Sequence, residues 1–138
     1  MGKTAVRGKK KLSVGKAIFL AFAAALFINI FVLDFMVAEG YSMLPAIEPG
    51  TVLIVCRLSY GIRLPGATTY LVRWRVPAVG DVVVFYTPMR DIAVKRFAEL
   101  LPDGKFYALG DNAPQSYDSR NYGPVPKDNI IGRVLGVR

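Results

Sequence analysis

The sequence of 138 residues contains no histidine and only one cysteine, Cys56. Without histidine, the chain cannot use Ser-His-Asp or Cys-His catalysis, a histidine-ligated zinc ion or a histidine pH switch. A single cysteine excludes an intrachain disulfide and any metal site built from several cysteines. Cys56 ends an apolar run, which is typical of a small buried side chain. We expect no metal and no cofactor.

Basic residues are concentrated at the N-terminus. The chain carries 18 Lys and Arg against 10 Asp and Glu, a formal net charge of +8. Residues 1–16 hold six of the basic residues and no acidic one. The excess is therefore a short tail and not a basic face. This predicts contact with anionic lipid and no nucleic-acid partner.

A long apolar run follows the tail. Residues 17–38 are apolar except for Asn29 and Asp34. As a helix, 22 residues would span ~33 Å, against ~30 Å of hydrocarbon. The alternative is a cleavable signal peptide, whose apolar core has only ~7–15 residues and precedes a small-x-small cleavage site. Residues 38–40 have that form, but the length of the run favours one uncleaved span.

The charge distribution also predicts the orientation of this span. After the run, the next basic residue is Arg57. The positive-inside rule then keeps the N-terminus in the cytoplasm and sends the rest of the chain across. We therefore predict three parts: a basic cytoplasmic tail over 1–16, a transmembrane helix over 17–38 and an exported domain over 39–138. In a bacterium this places the domain on the outer side of the plasma membrane.

The exported part has the pattern of an all-β domain. Its β-branched and aromatic runs alternate with turn signals, and the nearest approach to a helical pattern, residues 93–100, is short. The fold class is mainly β: a compact antiparallel β catalytic domain preceded by one transmembrane helix. Residues 57–75 form a candidate hairpin rich in arginine, which either rests on the membrane or is an ordinary hairpin. We expect strands over 51–56, 68–74, 81–86, 92–97, 105–109 and 130–137.

Three polar clusters carry the candidate chemistry. They lie at residues 40–45, at residues 94–96 and at residues 110–125. In a chain without histidine, a serine nucleophile needs another base. A lysine serves if burial lowers the pKa of its amine from ~10.4 toward neutrality. Lys95, which follows Ala93 and Val94, has the apolar neighbours that this requires.

These clusters resemble the bacterial type I signal peptidases. The similarity lies in Ser-Met-Leu-Pro at 42–45, Lys-Arg at 95–96 and Gly-Asp-Asn-x-x-x-Ser-x-Asp-Ser-Arg at 110–120. It extends over residues 39–134 in the order of the family, and the motif that begins at Gly110 is its most specific part. The resemblance implies a membrane-bound serine endopeptidase with a Ser-Lys dyad. Its partners would be the signal peptides of exported preproteins and the lipid bilayer.

The resemblance also implies a role for individual residues. Ser42 matches the nucleophile and Lys95 the general base. Ser116 matches a serine that hydrogen-bonds the lysine amine and orients it. A charged brace behind the site is implied for Asp118, Arg120 and Arg96.

Substrate contacts are implied as well. Small residues are expected at the first and third positions before the cut, and Met43, Ala93 and Val94 are expected near their pockets. The backbone N–H of Ser42 is an expected oxyanion donor. Gly40 stands where many Gram-negative members carry a serine that helps to bind the oxyanion, so a second donor is left open.

The chain departs from the family in two further ways, and alternatives remain. Only 13 residues, 97–109, separate Arg96 from Gly110, so the large insertion of many members is missing. One span is predicted, where some members have more. A conjugation-type, pilin-processing Ser-Lys peptidase would be expected to carry cysteines in its exported domain. The alternative from another class is a catalytically inactive, membrane-tethered binding module, which the presence of both Ser42 and Lys95 disfavours.

Overall fold

The computed structural model describes residues 13–64 and 66–137 of the chain. The basic tail predicted over 1–16 therefore lies almost entirely outside the described residues. Two α-helices and nine strands are described. The helices are α1 (Val14–Phe27) and α2 (Ser119–Tyr122), and the strands are β1 (Leu33–Val37), β2 (Val52–Cys56), β3 (Gly61–Ile62), β4 (Val72–Arg73), β5 (Val82–Tyr86), β6 (Ile92–Leu100), β7 (Lys105–Leu109), β8 (Val125–Pro126) and β9 (Ile130–Val134).

Seven of these strands form one antiparallel sheet in the order β1-β2-β9-β5-β6-β7-β8. The other two, β3 and β4, form a separate antiparallel hairpin. The mainly β, antiparallel fold class is thereby confirmed. Strand β6 pairs with β5 along Ile92–Arg96, whereas its pairing with β7 begins only at Arg96. The first half of β6 consequently has one edge without a neighbouring strand in the sheet.

The apolar run is not a single helix, and the helix predicted over 17–38 is wrong in its extent. Helix α1 ends at Phe27, a π-helical turn follows over Ile28–Val32, and the remainder is strand β1. The physical reason is pairing across the chain, because β1 aligns with the equally apolar β2 and places Met36 opposite Leu53. Among the residues described, no helix combines the length and the apolar character needed to cross a membrane.

The main sheet is buried on both faces at its centre. Strand β5 has four consecutive fully buried residues, Val82 to Phe85, so its alternate side chains enter two different apolar clusters. One cluster contains Phe85, Phe97 and Phe106. The other contains Met43, Leu53 and Val134. Because Met43 belongs to the second cluster, the core fixes the backbone directly beside Ser42.

The strand predictions hold best where the chain is buried. The runs predicted at 81–86 and 105–109 correspond to β5 and β7, and 92–97 is the first part of a longer β6. Residues 93–100, the nearest approach to a helical pattern, are strand. The run predicted at 68–74 keeps only two strand residues, Val72 and Arg73, which pair with β3 as the predicted hairpin. Its Leu71 and Trp74 side chains are exposed.

Candidate active site

Ser42 lies in the irregular segment between β1 and β2. Gly40 precedes it with φ +78°, a left-handed conformation that favours glycine, and redirects the chain after β1. Met43, which follows, is buried in the core. The carbonyl oxygen of Ser42 accepts a hydrogen bond of 3.0 Å from the backbone N–H of Asn112. The serine is therefore held by the core on one side and by the 110–112 segment on the other.

Lys95 reaches the same point from the middle of β6. Its Nζ lies 2.5 Å from Ser42 Oγ, although the two residues are 53 positions apart in sequence. Only 6% of Lys95 is exposed. Burial lowers the pKa of its amine, the charge of Asp118 opposes this change, and Arg120 reinforces it. The sequence-based expectation of a buried lysine beside Ser42 thus agrees with the geometry.

A groove of about 350 Å³ opens at this pair. One wall is the stretch from Met36 to Met43, and the other is the first half of β6, from Ile92 to Lys95. These walls belong to strands that are not neighbours in the sheet, so the sheet curls until β1 and β6 face each other. The groove contains the expected substrate contacts Met43, Ala93 and Val94, together with Gly40 and Ser42.

Asp118 and Arg120 form the expected ion pair behind the site. Arg120 Nε donates to Asp118 Oδ1 at 2.9 Å, and its NH2 group donates to Oδ2 at 2.5 Å. The Asp118 side chain is fully buried, while 42% of the Arg120 side chain is exposed. Burial alone would raise the pKa of the Asp118 carboxyl. Hydrogen bonds from Arg120, from the Ser116 hydroxyl and from the Gly110 N–H outweigh it and hold that pKa well below its usual range.

Ser116 is placed differently from the expectation. Its Oγ donates to Asp118 Oδ2 at 2.5 Å, and within the described part of the chain no hydrogen bond joins it to Lys95. The reason is that Asp118 is the stronger acceptor: its carboxylate is buried, charged and two residues away. Ser116 thus binds Asp118, the residue whose charge opposes the lowering of the Lys95 pKa.

Arg96 also differs from its expected place. It does not join Asp118 and Arg120 in one brace but makes a bidentate pair with Asp111, through Nε at 2.8 Å and NH2 at 2.6 Å. Its NH1 group donates to the carbonyl oxygen of Gly80 at 2.7 Å. Because Arg96 is adjacent to Lys95, this pair fixes the end of the catalytic part of β6 to the 110–112 segment.

Sequence reasoning placed the three consecutive residues 110–112 in the family motif but assigned them no role in the site. Gly110 donates its N–H to Asp118 at 2.8 Å, Asp111 pairs with Arg96, and Asn112 binds the backbone of the Ser42 segment. The Asn112 side-chain amide donates to the carbonyl oxygen of Tyr41 at 2.9 Å. The Gly-Asp-Asn motif was the signal, but its partners are distant in sequence.

The described residues contain no cluster of three or more Cys, Asp or Glu side chains able to hold a metal ion. The polar groups around Ser42 are instead a lysine, a second serine and two Arg-Asp pairs. A serine hydroxyl in contact with a buried amine of lowered pKa, at the bottom of a groove with a free strand edge, is an arrangement suited to peptide hydrolysis.

Comparison with known proteins agrees with this chemistry. The sequence matches the family described as signal peptidase, peptidase S26, over residues 11–100 and 90–137. The probable signal peptidase I-1 of Synechocystis sp. is 25% identical over 163 residues, which cover 86% of this chain and 77% of the relative. Signal peptidase I of Leptolyngbya laminosa is 29% identical over 153 residues, with 87% and 75% covered. Signal peptidase I of Bacillus caldolyticus is 25% identical over 166 residues, with 84% and 85% covered.

The class defined by this fold and these similarities is that of the serine endopeptidases. Within that class, the chain belongs to the signal peptidase family, peptidase S26. The family predicted from the sequence is confirmed, as is the activity, the removal of signal peptides by a serine peptidase.

Proposed function

We propose that Ser42 is the nucleophile and Lys95 the general base of this signal peptidase. The observation that carries the proposal is the distance of 2.5 Å between Ser42 Oγ and Lys95 Nζ, with the amine almost wholly buried. A neutral amine accepts the proton of Ser42 as the hydroxyl attacks the scissile carbonyl. The resulting ammonium then donates that proton to the leaving amine, and an acyl-enzyme remains on Ser42. Lys95, neutral again, deprotonates the water that releases the signal peptide.

The oxyanion formed in each attack needs donors in place. The backbone N–H of Ser42 is our first candidate, because it belongs to the same residue as the nucleophilic hydroxyl and that residue lines the groove. Gly40 lies in the same wall, and a Cβ built there would meet nothing within 4 Å. That open space accommodates the substrate carbonyl or a water molecule that bridges to it. Loss of one such donor in serine peptidases costs ~3–4 kcal/mol in the transition state.

The substrate would bind as an extended strand between the two walls of the groove. The unpaired edge of Ile92–Lys95 offers backbone hydrogen bonds, and alternate substrate side chains then point to the same face. Side chains at the first and third positions before the cut would therefore contact the same part of the groove, its floor, which Met43 and Val94 form. Only small residues are expected to fit at these two positions. Met43 is buried at that floor, and Val94 is half-buried beside it.

We also propose that the apolar N-terminal segment anchors the enzyme in the plasma membrane, with the N-terminus cytoplasmic and the catalytic domain outside. The support is that α1 has no buried residue and carries exposed apolar side chains on different faces, among them Ile18, Phe19 and Leu20. Helix α1 has 14 residues and the π-helical turn has 5, so together they are about 28 Å long. That approaches the ~30 Å of a hydrocarbon core.

The experiment is cleavage of a preprotein by the purified full-length chain in detergent. Ser42→Ala and Lys95→Met are expected to be inactive, with melting curves as cooperative as that of the parent. Lys105→Met is the matched control, because this lysine lies on β7 with its side chain 47% exposed. Near-parental turnover in either the Ser42 or the Lys95 variant contradicts the assignment.

A further inference from the structure

The active-site groove continues beyond Ile92. A small cavity of about 70 Å³ shares Met36 and Ile92 with the groove, and its lining also includes Arg63 and Tyr86. A third cavity, of about 580 Å³, shares Arg63 and Tyr86 with the second. The three depressions therefore lie side by side, in a row that we call the channel and that runs from Ser42 toward the β3–β4 hairpin. We call its far part, around Arg63 and Arg90, the distal groove.

The distal groove carries positive charge. Arg63 donates to three backbone carbonyl oxygens, of Ala67 at 2.5 Å, Ile130 at 3.2 Å and Asp128 at 3.5 Å, and to no carboxylate within the described part of the chain. Its guanidinium also lies over the ring of Tyr86, 5.4 Å from the centroid. Arg63 is thus held in place with its charge uncompensated. Arg90, which is exposed, lines the same cavity.

The acidic residues nearby do not cancel this charge. Asp34 lines the small cavity but is paired with Arg57. The Asp128 carboxylate is paired with Arg73 at 2.7 Å. Asp91 follows Arg90 in sequence, yet it does not line the distal groove. The lining of the distal groove is therefore cationic.

The direction of the substrate follows from the order of the elements. Helix α1 leads into the Leu33 end of β1, so the Met36 and Ile92 end of the groove is the end next to the apolar helix. A signal peptide has its apolar segment before the cut, so residues upstream of the cut would point toward that end. This step rests on the function and anchor proposed above. Both the strand and an extended substrate advance ~3.3 Å per residue. Because Ile92 lies three residues before Lys95, it faces about the third substrate residue before the cut.

We propose that Arg63 and Arg90 form a charge-selective subsite for the preprotein residues four to six positions before the cut. Acidic side chains there gain from the two guanidinium groups, and basic side chains are repelled. Such a subsite would act beside the small-residue requirement nearer the cut. It would reject precursors whose apolar segment ends in lysine or arginine close to the cleavage site.

The test is a set of synthetic peptides with alanine at the first and third positions before the cut. In each peptide one of positions four, five and six carries Glu, Gln or Lys. Cleavage by the full-length chain in neutral detergent is measured as kcat/KM at low salt and at 0.5 M salt. At one or more of these positions, we expect kcat/KM to decrease from the Glu peptide to the Gln peptide to the Lys peptide. Each step should be about two- to five-fold, the size of a partly exposed ion pair. High salt should reduce these differences in kcat/KM.

Variants assign the effect to the distal groove. Arg90→Gln and Arg63→Gln should each reduce the spread between the Glu and Lys peptides, and Arg63→Lys should retain most of it. Arg90→Gln is the safer variant for folding, because Arg90 is exposed, whereas Arg63 holds three backbone carbonyls. Arg75→Gln is the matched control: an exposed arginine next to the same hairpin that lines none of the three cavities and should keep the full spread.

Two outcomes overturn the proposal while leaving the dyad intact. The first is equal cleavage of the Glu, Gln and Lys peptides by an enzyme that still requires Ser42. The second is again equal cleavage of the three peptides, combined with a change in lipid binding. In that case Arg63→Gln and Arg90→Gln bind vesicles with anionic lipid more weakly than the parent does, but bind zwitterionic vesicles equally well. That result would make the distal groove a headgroup site. Cleavage that persists in Ser42→Ala would instead overturn the proposed function.

Discussion

Gly110 lies so close to Ser42 that a side chain at position 110 would collide with the Ser42 backbone. A Cβ built on Gly110 would be 2.6 Å from the carbonyl oxygen of Ser42 and 2.1 Å from Ser116 Oγ. Real Cβ atoms do not approach other atoms this closely. The glycine that opens the Gly-Asp-Asn motif is therefore required for the close approach of three segments: that of Ser42, that of Ser116 and its own.

Gly110→Ala should consequently impair activity more than stability. The methyl group must push away either the Ser116 hydroxyl, which is bonded to Asp118, or the backbone of Ser42, whose hydroxyl contacts the Lys95 amine. We expect a loss of 100-fold or so in kcat, since a misplacement of about 1 Å can cost that much. Overpacking should cost about 1–3 kcal/mol of unfolding free energy. Gly15→Ala is the control: the position is helical with nothing within 4 Å, so the change should be harmless. Full activity of Gly110→Ala would contradict this packing.

Ser116→Ala should be milder than removal of the lysine. Ser116 donates to Asp118 and, among the described residues, makes no hydrogen bond to Lys95, so its loss removes one of several hydrogen bonds that the carboxylate accepts. We expect kcat to fall by about ten- to a hundred-fold, within the range for one supporting contact. Side-by-side assays of Ser116→Ala and Lys95→Ala measure the difference. Equally complete losses would mean that Ser116 acts on the amine directly during turnover.

Asp118→Asn should destabilise the fold at neutral pH. The depressed pKa of Asp118 means that its charged form stabilises the native state above the unfolded pKa of ~3.9, and that this stability is lost as the pH falls through the folded pKa. We expect a loss of about 2 kcal/mol, less than for a fully buried pair because Arg120 is partly exposed.

Urea titrations of parent and Asp118→Asn across pH 3–8 check this expectation. The difference in unfolding free energy between the two proteins should be constant from pH 5 to pH 8 and should decrease below about pH 4. A difference that stays constant at low pH would show that Asp118→Asn destabilises through its packing and not through the loss of charge.

The parts of the fold predictable from sequence are those that local pattern determines. Strands β5 and β7 are short apolar runs rich in β-branched or aromatic residues and bounded by turn residues, a pattern that favours a strand over a buried helix. Strand β1 was missed because its residues continue an apolar run that begins as a helix. Only the distant pairing with Val52–Cys56 makes residues 33–37 extended, and nothing local encodes that pairing.

The candidate site, like the fold, has parts that the sequence predicts and parts that only the folded chain brings together. Ser42 and Lys95 could be predicted because a chain without histidine has few nucleophile-base pairs, and because the family motif marks both. The partner of Arg96 could not, since Asp111 and Asp118 are both plausible acceptors 15 and 22 residues away. The register of the β6–β7 pair decides which aspartate binds Arg96. Because Arg96 lies opposite Leu109, the turn that follows β7 brings Asp111 to the Arg96 side chain.

Lys95→Met should be at least as stable as the parent at pH 7. A lysine whose folded pKa is depressed lowers stability at any pH below its unfolded pKa of ~10.4. That loss grows as the pH falls toward the folded pKa and then levels off. Methionine has a similar length, cannot ionise and suits the apolar surroundings. Urea unfolding of both proteins at pH 7 and pH 10 should show a smaller advantage for Lys95→Met at the higher pH. A clearly destabilised variant at pH 7 would mean that the amine is solvated.

The most direct test of the dyad is the pH dependence of kcat/KM for cleavage of a preprotein. Because burial lowers the pKa of Lys95 and the neutral amine is the active form, activity should rise through an ionisation well below the ~10.4 of a solvated lysine. The control Lys105→Met, at a lysine whose side chain is 47% exposed, should leave that limb where it is. A limb at the unperturbed lysine value would contradict the account, because the base could then not be a buried Lys95.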